Sequence, residues 1–169
     1  MTEASIKQEV TDLTLFLLEK AKKHYDISDY FIRHIKFDIK GNRTSGQACY
    51  GKSTIRYNME IIKKNHDEFL NRTVAHEVSH MIQHRVYPFG SPHGREWKSI
   101  MRFFGVAPSR CHNYDVSGIE SGRKTQKFKY TCLWGTEFII GKTRHKRIQD
   151  GVKYTCRKCH NPLTYVGKV

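Results

Sequence analysis

The chain has 169 residues, 38% hydrophobic and 12% aromatic, with a formal net charge of +14. That is enough apolar material for one packed domain and a small appendage, and it excludes wholesale disorder. No apolar run nears the ~20 residues of a membrane-spanning helix, and the start, MTEASIKQEV, lacks a basic-then-apolar leader, so a soluble cytoplasmic chain is expected, nuclear in a eukaryote, with no membrane partner.

Residues 5–24 carry Ile6, Val10, Leu13, Leu17 and Ala21 on one stripe, which predicts an amphipathic helix. Ile35, Phe37 and Ile39 alternate with Lys36, Asp38 and Lys40, as in a half-buried strand. Residues 46–50 and 53–58 read as two more strands around Gly51-Lys52, so a small antiparallel sheet is expected after the first helix. A long helix is predicted from Asp67 as N-cap, with Phe69, Leu70, Val74, Val78, Met81 and Ile82 inward. A second spans about 94–104, burying Trp97, Ile100, Met101 and Phe104, and ends at Gly105 with Pro108 beyond. Residues 109–126 read as a polar linker, and short strands are expected from Phe128 onward. The expected fold class is α+β, with a core over 1–120 and a basic module over 121–169.

Chemistry concentrates at His76-Glu77-Val78-Ser79-His80. Histidines at i and i+4 share a helix face and can converge on one Zn²⁺. Glu77 lies about 100° around the helix from His76, beside the metal, where it can act as general base on a zinc-activated water and then protonate a leaving amine. A catalytic zinc needs a third protein ligand. Gln83 and Val86 stand where a metzincin has its glycine and third histidine, so that class is excluded. His84 is two turns from His76, about 12 Å, too far to share the ion. His93, after a loop, is the better candidate, and Glu96 is the alternative. A site built only for structure would need the histidines but not Glu77.

The runs T-V-A-H-E-V-S-H-M-I and S-P-H-G-R-E-W-K-S-I-M resemble the SprT-like metallopeptidase family, which pairs H-E-x-x-H with P-H-G-x-x-W. P-S-R-C-H-N-Y-D and the tail from Tyr130 to Lys168 are similar to later parts of the same family, so the likeness covers about residues 45–169. It implies a zincin-like core of a helix, a small sheet and a helix pair. It implies His93 as third zinc ligand, and a DNA-associated peptidase that cleaves proteins bound or crosslinked to DNA, as in DNA repair. His112 falls at a family position where it could contact substrate.

Five cysteines in a reducing compartment read as metal ligands or free thiols. Cys156-x-x-Cys159 is half of a zinc ribbon, yet Trp134 stands where relatives have the partner of Cys132. The expected second site is Cys132, His145, Cys156 and Cys159, with His160 as another fourth ligand and a metal-free hairpin as the alternative. Cys49 and Cys111 are expected to be buried free thiols. Residues 121–169 hold 12 Lys/Arg against 2 acids. Lys142, Arg144, Lys146, Arg147, Lys153, Arg157 and Lys158, interleaved with Trp134, Phe138 and Tyr154, suit phosphates and unpaired bases, so DNA is the expected partner, with single strands as one candidate form. The alternative reading makes these aromatics the module's own core. Two other functions compete: a non-catalytic DNA-binding zinc protein, and a peptidase acting on a regulatory protein without DNA. A monomer is expected.

Overall fold

The structure, a computed structural model, describes residues 1–27, 31–111, 113–121 and 126–169. The chain divides into two compact units, Met1–Gly122 and Arg123–Val169. Both mix helices with a three-stranded sheet, so the class is α+β.

In the first unit, α1 (Glu3–His24) is capped by the Thr2 hydroxyl, which accepts from Ser5 N. It buries Ile6, Val10, Leu17, Leu18 and Ala21. The expected stripe shifts at its middle, where Thr14 is buried and Leu13 only partly so. The Thr14 hydroxyl donates to Val10 O (2.6 Å) and meets the Tyr57 hydroxyl at 3.0 Å, so a polar residue fits the core because both its needs are met.

Three strands follow: β1 (His34–Lys36), β2 (Gly46–Cys49) and β3 (Thr54–Tyr57), in the order β1-β3-β2. β2 pairs antiparallel with β3, with a 3-10 turn at Tyr50–Lys52 between them. β1 pairs parallel with β3, which corrects the all-antiparallel expectation. The strand foreseen over 35–39 stops at Lys36, and residues 37–45 cross to the far edge instead of forming a hairpin. Central β3 buries Ile55 and Tyr57 completely.

Next come α2 (Met59–Lys64), capped by Asn58, a one-turn α3 (His66–Glu68), a π-helical segment Phe69–Val74 and α4 (Ala75–Val86). Helical structure therefore starts one residue before Asp67, and Asp67 is not its N-cap. Asn65 ends α2 instead, donating to Ile61 O and accepting from Asp115 N. α5 (Arg95–Phe103) buries Trp97, Ile100 and Met101 and closes at Gly105, whose φ of +78° suits glycine. The segment foreseen as a linker is instead tied down. Tyr114 and Ile119 are buried in the core, the Tyr114 hydroxyl bonds the Thr73 hydroxyl at 2.7 Å, and Asp115 pairs with Lys64.

The second unit is built from β4 (Lys127–Thr131), β5 (Glu137–Gly141), α6 (Lys142–Gln149) and β6 (Thr164–Lys168), with β4 central. The helix α6 corrects the strands-only expectation: the run KTRHKRIQ holds no glycine or proline to stop it. The core is small: Phe128, Tyr130 and Ile140, with Phe138, Ile148 and Leu163 packed against them. Among the described residues no helix is long and apolar enough to cross a membrane.

Candidate metal centre

α4 carries His76, Glu77 and His80 out of the core on a stem of buried Val78, Met81 and Ile82. His93 comes from the loop between α4 and α5. Its φ is +59°, a strained backbone for a side chain larger than glycine. Buried Gln83 holds that loop, with Nε2 donating to Ser91 O at 2.8 Å, and Gly94 N–H donates to the same carbonyl at 2.8 Å. Gln83, which merely excluded a metzincin by sequence, is thus the anchor of the ligand loop.

The three Nε2 atoms form a triangle with edges of 3.2 Å (His76–His80), 3.0 Å (His80–His93) and 3.1 Å (His76–His93). A tetrahedral zinc at ~2.05 Å from each nitrogen separates its ligands by about 3.3 Å, so the donors fit the ion with little movement. Three neutral imidazoles cannot satisfy one another pairwise through single nitrogens; one cation satisfies all three. Burial first, then nearby His93, pushes the pKa of His80 down to about 4, and burial followed by Arg110 lowers that of His93, so these rings are neutral and ready to ligate. Fully buried Trp97 sits under all three rings, with centroids at 4.8, 5.5 and 4.7 Å from His76, His80 and His93. Its indole N–H points at His76 O, 3.4 Å away. The core residue of the sequence reading also braces the ligands.

Glu77 is 7% exposed and faces strand β2. Burial pushes its carboxyl up to about 8, against the opposing hydrogen bond from the Ala48 backbone. Gly46 lies so close that a Cβ there would sit 2.6 Å from the Glu77 Cγ. The histidines, Glu77 and β2 residues 46–48 line one cleft of about 360 Å³, with Arg43 and Arg110 at its rim. Sequence reading missed Gly46 and Ala48, because only the fold brings that strand over α4.

The other candidates fall elsewhere. His84 is exposed and stacks on Tyr50 at 4.3 Å, and Glu96 lies beside Arg95, outside the histidine group. His112 lies outside the described residues. Cys49 is half-buried and Cys111 exposed, which corrects the expectation of buried thiols.

In the second unit Cys132, Cys156 and Cys159 come together, their Sγ atoms within 4.8 Å of one another, and the donor set suits zinc. Burial raises the Cys132 thiol, but hydrogen bonds involving Thr136, Cys159 and Trp134 outweigh it and hold its pKa at about 7. His145 is not in the group, a correction to the expected fourth ligand. Its ring stacks on Phe128 at 3.6 Å and its Nδ1 meets the Tyr130 hydroxyl at 2.9 Å. Lys142, Arg144, Lys146 and Arg147 lie on α6 and Lys153, Arg157 and Lys158 on the loop before β6, all seven exposed. Trp134 is 71% exposed, whereas Phe138 packs on the small core.

The SprT-like family profile matches residues 17–117, the span that holds the histidine centre. The chain belongs to the SprT-like family. Protein SprT of Pseudomonas aeruginosa (strain UCBPP-PA14) is 36% identical over 139 residues, which is 80% of this chain and 81% of that protein. Protein SprT of Pseudomonas putida (strain GB-1) is 31% identical over 161 residues, covering 90% and 95%. Protein SprT of Pseudomonas entomophila (strain L48) is 35% identical over 139 residues, covering 79% and 80%. No solved structure matches the chain. The SprT-like match extends across the helical pair, the ligand loop and Tyr114.

Proposed function

We propose that this chain is a zinc-dependent endopeptidase with a zincin-like core, that it works in association with DNA, and that its substrates are proteins bound or crosslinked to DNA. The observation that carries the catalytic half is the meeting of three imidazole nitrogens and the Glu77 carboxyl in one cleft beside β2. His76, His80 and His93 would hold the zinc, which supplies Lewis-acid polarisation of a peptide carbonyl and of water. Glu77 takes the proton of the attacking water and delivers it to the leaving amine. The Ala48 N–H fixes the carboxylate, and its burial keeps its proton affinity above that of a solvated acid, which suits both transfers. β2 is the edge of its sheet, so its outer backbone groups can pair with an extended substrate chain.

The DNA half rests on seven exposed cations between residues 142 and 158 and on exposed Trp134 in the same unit, a combination that binds phosphates and stacks on unpaired bases. The test is cleavage of a DNA-binding protein by the purified chain, with and without single-stranded DNA, beside Glu77→Gln at equal zinc content. Cleavage that requires DNA and disappears in the variant supports the whole proposal. DNA-independent cleavage leaves only the peptidase. Absence of cleavage at full zinc and tight DNA binding sinks the catalytic reading in favour of a DNA-binding zinc protein.

A further inference from the structure

The cleft at the histidine centre is lopsided in charge. Three arginines line it, Arg43, Arg72 and Arg110, against one acid, Glu77. Glu77 is buried against β2, so no exposed carboxylate lines the cleft. Arg72 is committed to the protein itself: it pairs with Glu68 at 3.6 Å and donates to Cys111 O. The Ser109 hydroxyl donates to the same carbonyl at 3.1 Å. Residues 109–111 are thereby tied to a point four residues, about one helical turn, before His76. Arg110 lies in that segment, close enough to His93 for its charge to act on the ring. Arg43 belongs to another run of the lining, three residues ahead of Gly46 and thus about 10 Å of extended chain from it. Buried Asn58 fixes this run. Its Nδ2 donates to Gly41 O at 2.6 Å and to Thr44 O at 3.0 Å, and its backbone N–H donates to Ser45 O at 2.8 Å. Arg43 and Arg110 are both exposed, and among the described residues neither guanidinium has a hydrogen-bond or ion-pair partner.

We propose that Arg43 and Arg110 are specificity-determining residues that select peptide segments carrying Asp or Glu within about three residues of the scissile bond. The inference rests on the peptidase reading of the histidine centre. A guanidinium presents a planar fork of donors that matches a carboxylate, and both arginines stand on held backbone with that fork unused. An extended substrate advances about 3.3 Å per residue, so with its scissile bond at the histidines its third neighbour is about 10 Å away, the span from Gly46 back to Arg43. Nucleic-acid phosphate is the rival anion. A strand seated on these two arginines would fill the cleft of about 360 Å³ that the peptide needs beside Glu77 and β2. In a protein bound to DNA, acidic segments are also those that the phosphates repel and leave free for a second partner.

The test reads binding and not cleavage, so its failure is separable from failure of the peptidase proposal. Labelled unstructured peptides, alike except for Asp/Glu, Asn/Gln or Lys at the positions flanking the centre, are titrated by fluorescence anisotropy onto the zinc-loaded full chain carrying Glu77→Gln. The acidic peptide should bind about 5–20-fold more tightly than its amide twin, from about 2–5-fold per exposed ion pair. Adding Arg43→Gln with Arg110→Gln should erase that preference. Adding Lys142→Gln with Arg144→Gln, which removes the same charge from the second unit, should leave it intact. Arg43→Glu with Arg110→Glu should turn the preference towards lysine. No binding of the acidic peptide, equal affinity for the acidic and amide peptides, or a preference that survives loss of both cleft arginines would overturn the proposal. A preference that falls as far with Lys142→Gln and Arg144→Gln would overturn it too, as the mark of general charge attraction. Loss of single-stranded DNA affinity in the cleft variant, with peptide binding unchanged, would assign the arginines to nucleic acid instead.

Discussion

Gly46→Ala probes the contact between β2 and α4. The added Cβ would lie 2.6 Å from Glu77 Cγ, 2.8 Å from Oε1 and 2.9 Å from Cδ, all well inside van der Waals contact. Glu77 has little room to yield, because it is 7% exposed. Overpacking of this kind costs about 1–3 kcal/mol. Gly46 is not among the positive-φ glycines, so the new residue meets no backbone strain. Without the collision, Gly→Ala at such a position stabilises by about 0.4–1 kcal/mol through the unfolded chain. The two figures together predict a coupling of roughly 1.5–4 kcal/mol between positions 46 and 77, measurable by a double-mutant cycle. The assay is urea unfolding of the zinc-loaded chain, Gly46→Ala against wild type and Gly46→Ala/Glu77→Ala against Glu77→Ala. Destabilisation in the first pair and neutrality or gain in the second is expected. Equal effects in both pairs would show that Glu77 does not pack on Gly46 and would refute the reasoning.

Other consequences are open to measurement. In the metal-free chain the folded Glu77 pKa, at about 8, stands above its unfolded value, so the folded state holds the extra proton and stability declines as pH rises from about 4.5 to 8. Denaturant unfolding in EDTA should show a net decline between about pH 6.5 and 8, where His80 no longer opposes it, of about 2 kcal/mol, and Glu77→Gln should flatten it; an unchanged slope in the variant counts against it. His80 works the other way, because its folded pKa is depressed to about 4, so it offsets the Glu77 term below about pH 6.5, and Glu77→Gln in EDTA should lose stability as pH falls from about 6.5 towards 4. Metal analysis after dialysis should find the first site emptied by His93→Ala and intact in Glu96→Gln and His84→Ala; loss of zinc in Glu96→Gln would reassign the third ligand. Gln83→Ala releases the Ser91 carbonyl and should weaken zinc binding about 10–100-fold, read by competition with a chelating dye, while unaltered affinity would show that the loop holds His93 without it. Neutralising Lys142, Arg144, Lys146 and Arg147 should lower the salt dependence of single-strand binding by about 0.7 in log–log slope per lost phosphate contact, and an unchanged slope would remove α6 from the DNA interface.

How much was legible in advance depends on the range of each interaction. Helical periodicity is local, so α1, α4 and α5 and the shared face of His76 and His80 could be read from spacings of three and four residues. Motif likeness reached His93 across the loop, and the three histidines do converge. The parallel pairing of β1 with β3 was not legible, because alternation marks a strand but not the direction of its neighbour. The π-helical turn at Phe69–Val74 and the burial of Tyr114 are linked through the Thr73 hydroxyl, a contact spanning 41 positions that no local pattern announces. In the second unit, composition marked the cysteines and the basic surface, but His145 was assigned to a metal when its ring is committed to Phe128 and Tyr130. The sequence by itself determined which residue types and helix faces were available for chemistry, since these depend on side-chain identity and a repeat of a few ångströms. Only the tertiary structure decided that Gly46 and Ala48 close over Glu77, that Trp97 braces three imidazoles, and that three cysteines meet with no histidine of the described residues among them. Those facts follow from how distant segments pack, and packing is set by the whole core at once.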